Sequence, residues 1–491
     1  MFGGPRVRSW RGRPVVAGLA AIVVASLIAG CGSSAVPTGS PTPGATASPS
    51  PSAEPVTIRW FTGFSSIWAM SDPEEIEAFV ERFNESQDEV ILELVVELMY
   101  PAKAFELMLA AGDPPDIVGP AWATDLYRYD GEYLDLDGEI AKQGYDTGQI
   151  DPQLLGLLRL EGRGQIGLPY GVGPGFVFYN KDLFAKAGLP DLPKHVGETY
   201  QGKPWDWNTL RDVAALLTLD SKGRTANDPH FDAAHISQWG FDFEGLYDVS
   251  LASSFGGGSL VAQDGRTAQI PDNWRDAWRW YYDAMWTRHI APTGPQEKAL
   301  DPKQLGTPAT GRVAMAVALP WAIPLFGGVS TSVDDPDPIP TFERWDVAVM
   351  PSWNGSVSSP TQVEAFAVTA DSAHHSQAFR VMTAIMADPK LRASFGDMPA
   401  DRSARPAYYA ELEAELAADF PGNTVTWSVL DEMAAHPATP DPEATLPHPT
   451  KFYSTFRAFS DDLAGRGDLD IDARIDALRE AVQDVLRTPS R

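Results

Sequence analysis

The sequence predicts an α/β protein of two lobes. Across residues 56–118 short β-rich runs alternate with amphipathic helical segments, the signature of a sheet whose ligands sit beyond its strand ends. The body from Val56 to Arg491 is also too long for one ordinary core and suits two or three domains, two being expected.

The elements follow in order. Val56 to Phe61 is β-rich, and a loop of small and aromatic residues runs from Thr62 to Met70. Asp72 can cap the next helix, with Pro73 at its first position, Glu75 at the capping-box position, and Ile76, Phe79, Val80 and Phe83 at helical spacing. A strand over Val90 to Met99, a helix carrying Phe105 and Leu109, and a strand at Asp116 to Val118 complete the first unit. Later helices are expected after Asn208, Asn273 and Asp371, each with an apolar stripe that would pack on a sheet. Strands are expected at Ile166–Leu168, Phe176–Tyr179, Val313–Leu319, Trp345–Met350 and Ala365–Thr369, and Asp334–Pro338 reads as a surface loop.

Ahead of this body, Arg6, Arg8, Arg11 and Arg13 precede the apolar run Val15 to Ala29, then Gly30 and the only cysteine, Cys31. A basic leader, a short apolar stretch and small residues before a cleavage point fit a signal peptide over residues 1–30 with lipid attachment at Cys31. Residues 31–55 form a tether of small residues and proline that cannot bury enough apolar surface to fold. Fully extended at about 3.1 Å per residue it would reach roughly 70 Å.

The formal net charge of −28 argues against nucleic acid and against direct contact with anionic lipid. A single cysteine leaves the body without a disulfide or a thiolate zinc site, so packing must stabilise it. Asp468, Asp470 and Asp472 begin a calcium-loop spacing, but Ala473 and Arg479 break it, and helix-start acidity explains them better. No GxSxG or HExxH pattern occurs, and no metal or cofactor is expected.

The stretch GQIGLPYGVGPGFVFYNKDLFAKAGLP, Gly164 to Pro190, resembles the sugar-type extracellular solute-binding proteins of ABC importers, the maltose-binding-protein-like family. Pro115-Asp116-Ile117-Val118, Trp205-Asp206-Trp207 and Gly311 to Met315 with Trp321 are similar to further segments of that family, in the same order. The resemblance implies a two-lobed periplasmic-binding-protein-like fold of type II. Its first lobe would take residues 56–171 and 352–399, its second 172–351 and 400–491, with several chain crossings as a hinge. It further implies a monomeric lipoprotein at the outer face of the cytoplasmic membrane. Such a protein captures a mono- or oligosaccharide for a membrane permease and has no catalysis of its own. A non-sugar solute (polyamine, peptide or glycerol phosphate ester) is the alternative ligand, and a secreted carbohydrate-active enzyme the alternative class.

A sugar site needs flat aromatic surface beside a few fixed polar groups. Aromatics and polar residues in loops after strands are therefore the candidates: Phe64, Ser65 and Trp68, then Trp122 and Asp125, then Tyr170, Trp239 and Trp321, with Glu364 and Phe366 near a return crossing. Arg405 joins them because the family places a late loop there, facing the cleft. Trp278 and Trp280 lie within a helical pattern and are expected to pack.

Overall fold

The computed structural model describes residues 54–488 apart from 65–72, 98–99, 244–248, 263, 302–305, 327–343, 396 and 440–448. The leader, Cys31 and most of the tether lie outside the described residues, as do Ser65, Trp68, the Asp72 cap and the Asp334–Pro338 loop. The described residues belong to one compact unit, Glu54–Arg491.

Two sheets organise this body. The first contains β1 (Val56–Thr62), β2 (Val90–Val96), β3 (Ile117–Trp122), β4 (Leu168–Pro174) and β9 (Thr361–Val368), in the order β2-β1-β3-β9-β4. β1 runs parallel to β2 and β3, whereas β9 is antiparallel to both β3 and β4. The second contains β5 (Phe176–Asn180), β6 (Asp242–Phe243), β7 (Met315–Ala318) and β8 (Trp345–Ala348), in the order β6-β7-β5-β8. Helices α1 (Pro73–Ser86), α2 (Pro101–Ala111) and α3 (Ala123–Arg128) belong to the opening βαβ run. They are followed by α4 (Trp207–Leu217), α5 (Asp272–Trp286), α6 (His375–Ala387), α7 (Arg405–Asp419), α8 (Ser428–Ala434), α9 (Pro449–Gly465) and α10 (Ile471–Leu486).

The first sheet is buried on both faces, which is why its strands read as nearly continuous apolar runs. Ile58, Trp60, Leu92 and Phe366 pack on one side against Ile76 and Phe79 of α1 and Phe379, Met382 and Ile385 of α6. Phe61, Val118, Ala121 and Ala365 face the other way, into a core that continues to the second sheet. There the tryptophans find their place. Trp207 stacks on Phe255 at 4.6 Å and meets Trp280 edge-on at 5.1 Å, while Trp278 meets Phe459 at 4.9 Å. Trp278 and Trp280 pack as expected, at 2% and 6% exposure.

Helix starts differ in detail from the expectations. α4 begins two residues earlier, because Asp206, rather than Asn208, accepts the amide hydrogen of Thr209 at 2.7 Å. Asn273 lies inside α5, and its side chain donates instead to the Gly256 carbonyl at 2.8 Å. α6 begins at His375, four residues beyond Asp371. Asp470 caps α10 by accepting from the Ala473 amide at 3.1 Å, so the aspartates there are helix-start residues as expected.

The chain passes between the sheets at laced points. β4 ends at Pro174 and β5 begins at Phe176, leaving Gly175 alone between the layers. Its amide donates to the Pro360 carbonyl at 2.7 Å, and its carbonyl accepts from the Ser359 hydroxyl at 3.0 Å, so the outward and return crossings clasp each other. A Cβ on Gly175 would sit 2.6 Å from the Pro360 ring, so only glycine fits without displacement. A third stretch runs beside β4: the Val172 amide donates to the Met398 carbonyl and the Ala400 amide to the Tyr170 carbonyl, at 2.8 and 2.9 Å.

Candidate ligand-binding site

A cavity of about 270 Å³ opens where the end of β3 meets the start of β9 and the second-sheet side of the molecule. Trp122 closes β3, and Ala123 and Thr124 open α3. Pro360 to Val363 lead into β9, placing Thr361 and Gln362 along the cavity floor. Opposite them stand Val249, Ser250 and Ser253, Leu319 beyond β7, Ala438, and Tyr453 on α9. Among the described residues the polar lining is neutral, consisting of hydroxyls and one carboxamide beside the Trp122 indole. This position, outside the carboxyl end of a parallel strand, is where open α/β sheets collect ligands.

A second cavity, of about 440 Å³, adjoins the first and shares Trp122, Thr124 and Tyr453 with it. Its other walls are Phe64, the first turn of α2 with its preceding residue (Tyr100 to Lys103), and Asp125 and Arg128 of α3. Three aromatics around the two cavities are solvent-exposed: Trp122, Tyr453 and Tyr100. Phe64 is buried, held edge-on by Phe61 and Phe105 at 5.4 and 5.6 Å, so it forms a fixed floor.

Among the described lining residues, the charged ones belong to the second cavity. Burial pushes the Asp125 carboxyl up to about 6, although Arg128 one turn later pulls the other way. The two groups approach only to 3.9 Å, the long end of an ion pair. Lys103 is exposed and paired with Glu106 at 3.5 Å.

Of the residues expected from the sequence, Phe64, Trp122 and Asp125 line these cavities. Trp321 is half exposed on the turn Pro320–Leu325, directly after the lining residue Leu319. Glu364 is buried in β9, opposite Trp122 of β3 on one side and Gly171 of β4 on the other. Four expected residues belong to the framework instead. Tyr170 meets Phe366 and Phe395 edge-on at 5.2 and 5.7 Å in the core on the far face of the first sheet, and Phe366 itself is fully buried there. Trp239 is buried beside β7, its backbone bonded to Arg312 and Ala314. Arg405 is 2% exposed, and its guanidinium already serves Asp151, Asp431 and the carbonyls of Pro399 and Ala400.

Sequence reasoning missed Thr124, Ser250, Ser253, Thr361 and Gln362, ordinary polar residues with no local mark. Tyr453 did carry a mark. The buried stripe of α9 is Phe452, Phe456, Phe459 and Leu463, and Tyr453 is an aromatic one step off it.

The family of bacterial extracellular solute-binding proteins matches residues 70–387. The chain belongs to this family. No curated protein matches it by sequence. Among solved structures, M. tuberculosis UspC superposes with a TM-score of 0.64 at 20% identity, covering 88% of this chain and 100% of that one. The sugar-binding protein MalE from Xanthomonas citri gives 0.63 at 18% identity, covering 88% and 97%. A cyclic α-maltosyl-1,6-maltose binding protein from Arthrobacter globiformis gives 0.60 at 17% identity, covering 88% and 99%. The chain therefore has the family's two-lobed α/β fold. Among the described residues no group of three or more His, Cys, Asp or Glu could hold a metal ion, and no helix is long and apolar enough to cross a membrane.

Proposed function

We propose that this solute-binding protein captures a mono- or oligosaccharide between its two lobes and delivers it to the permease of an ABC importer, without chemistry of its own. The observation that supports this is the make-up of the first cavity: aromatic faces at Trp122 and Tyr453 beside neutral hydroxyls and a carboxamide. Sugar rings present C–H faces to aromatics and hydroxyls to such partners, whereas a polyamine would call for carboxylates there. The proposed lobes follow the sheets, with residues 56–174 and 361–399 in the first and 176–348 and 405–488 in the second. A ligand touching both lobes favours the closed state by its difference in affinity for the two states, which gives a permease a shape to recognise. Lipid on Cys31 would hold the protein at the outer face of the membrane.

Thermal-shift and calorimetric titration against a carbohydrate panel tests this. A sugar at one hundred times its Kd should stabilise the body by about 2.7 kcal/mol and be recovered unaltered. Stabilisation by a polyamine or peptide and by no sugar would overturn the sugar reading, and release of a cleaved product would favour an enzyme.

A further inference from the structure

The two adjoining cavities differ in charge, and this narrows the ligand class within the sugar reading, on which the inference rests. Among the described residues the first is lined by neutral polar groups alone, whereas the second is lined by two cationic side chains, Lys103 and Arg128, against one carboxylate, Asp125. Both share the Trp122 and Tyr453 walls, so one elongated molecule can occupy both by lying across these aromatics.

We propose that the ligand is an oligosaccharide of two or more rings carrying an anionic group at the end that enters the second cavity, where Arg128 and Lys103 receive it. The guanidinium suits this task, because its planar fork binds carboxylates and phosphates through paired hydrogen bonds. Arg128 is held only loosely by the carboxylate beside it, since Asp125 stands at 3.9 Å and its other contact is the Tyr129 phenol. Lys103 is exposed, and its pairing with Glu106 at 3.5 Å is a surface contact of small worth. The location is selective in a chain of net charge −28, where elsewhere an anion would meet mostly like charge.

Asp125 makes the preference pH-dependent. The groups around it are Arg128 on its own helix, Tyr129 directly after it, Lys103 and Glu106 on α2, the Tyr453 phenol on α9, and Tyr133, whose buried hydroxyl is pushed up partly by Asp125 itself; the Tyr129 phenol, bonded to Arg128 and Glu106, is pushed up to about 12, mainly by burial, and stays neutral across this range. Protonation of Asp125 near pH 6 removes the one carboxylate among the cavity's lining residues and frees Arg128. An anionic ligand should therefore bind more tightly as the pH falls through 6, while a neutral one should not respond.

The test compares maltotriose and xylotriose with digalacturonate, a glucuronate-bearing xylotriose and trehalose 6-phosphate, by calorimetry on the full body at low salt. We expect at least one acidic member to bind roughly ten-fold or more tightly than every neutral one, the scale of a charge-assisted pair. That advantage should disappear in the Lys103→Gln/Arg128→Gln double variant, whose apo melting should be little changed at pH 5, where Asp125 is protonated and does not need Arg128. The uronates and the phosphate distinguish a carboxylate from a phosphate ester. The comparison of pH 5.5 with 7.5 uses the uronates alone, because a phosphate monoester itself titrates near pH 6. Neutral members binding best, or an acidic advantage that survives in the double variant, would overturn the charged-end assignment and leave the sugar reading intact. Binding by no carbohydrate at all would overturn the sugar reading and this assignment together.

Discussion

Nη2 of Arg405 lies 3.1 Å from Oδ2 of Asp151, a residue 254 positions earlier, and both side chains are buried. The same guanidinium reaches Oδ1 of Asp431 at 2.7 Å through Nη1, and its Nε donates to the Pro399 carbonyl at 2.9 Å. One side chain thus ties the start of α7 to the stretch beside β4, to α8 and to the loop before residue 152. Removing Arg405 leaves Asp151 with Arg402 alone, 3.0 Å away, and takes a charged donor from the buried Pro399 and Ala400 carbonyls. Arg405→Ala should therefore lower unfolding free energy by about 2–3 kcal/mol, measured by urea titration. Asp151→Asn added to it should recover part of the loss; no recovery would mean that the loss comes from packing.

Gly175→Ala places a methyl group against the Pro360 ring and should push the two clasped crossings apart. We expect a loss of about 1–3 kcal/mol in stability, as for other overpacked sites, together with weaker ligand binding. An unchanged affinity in a destabilised variant would show that the clasp has no part in bringing the lobes together.

Trp122→Ala and Trp321→Ala remove exposed rings, so apo melting should barely move while sugar affinity falls about ten-fold or more. Tyr170→Ala should behave oppositely, losing about 3–5 kcal/mol of apo stability because its ring lies in the core. A large apo loss for Trp321→Ala would assign that residue to the core as well.

Stability should also depend on Asp125. Its folded carboxyl titrates near 6, above the ordinary 3.8, so between about pH 4 and pH 6 the folded state binds more protons than the unfolded one. Stability must then fall as the pH rises through that window. The charged form costs at most about 3 kcal/mol at pH 7.5. Asp125→Asn should recover much of this and flatten the dependence, as read from melting at pH 4.5, 6 and 7.5; an unchanged pH profile would mean that the carboxyl titrates normally.

Cys31→Ser should release the body into the medium in its native host. Retention of this variant in the membrane fraction would count against the lipid anchor.

Much of the fold was legible because its signals are local. Apolar runs marked β1 and β5 almost to the residue, and the apolar stripe of α5 fixed the inward packing of Trp278 and Trp280. The site was less legible because register creates it. Nothing near Glu364 says that it will lie opposite Trp122, more than two hundred residues away, and that pairing is what brings Thr361 and Gln362 under the end of β3. Tyr170 was misread for a related reason: it sits within β4, a strand that continues to Pro174, where side chains alternate between faces and its own enters the far core.

The insertion of β9 between β3 and β4 also constrains when this molecule can assemble. The first sheet remains split until residue 368 has emerged, because β3 and β4 each complete their hydrogen bonding only through a strand made almost two hundred residues later than β4. Such distant pairing forms slowly and cannot be finished by a growing N-terminal half. A chain that must be threaded across a bilayer before folding would thereby be kept pliable until most of it had been synthesised.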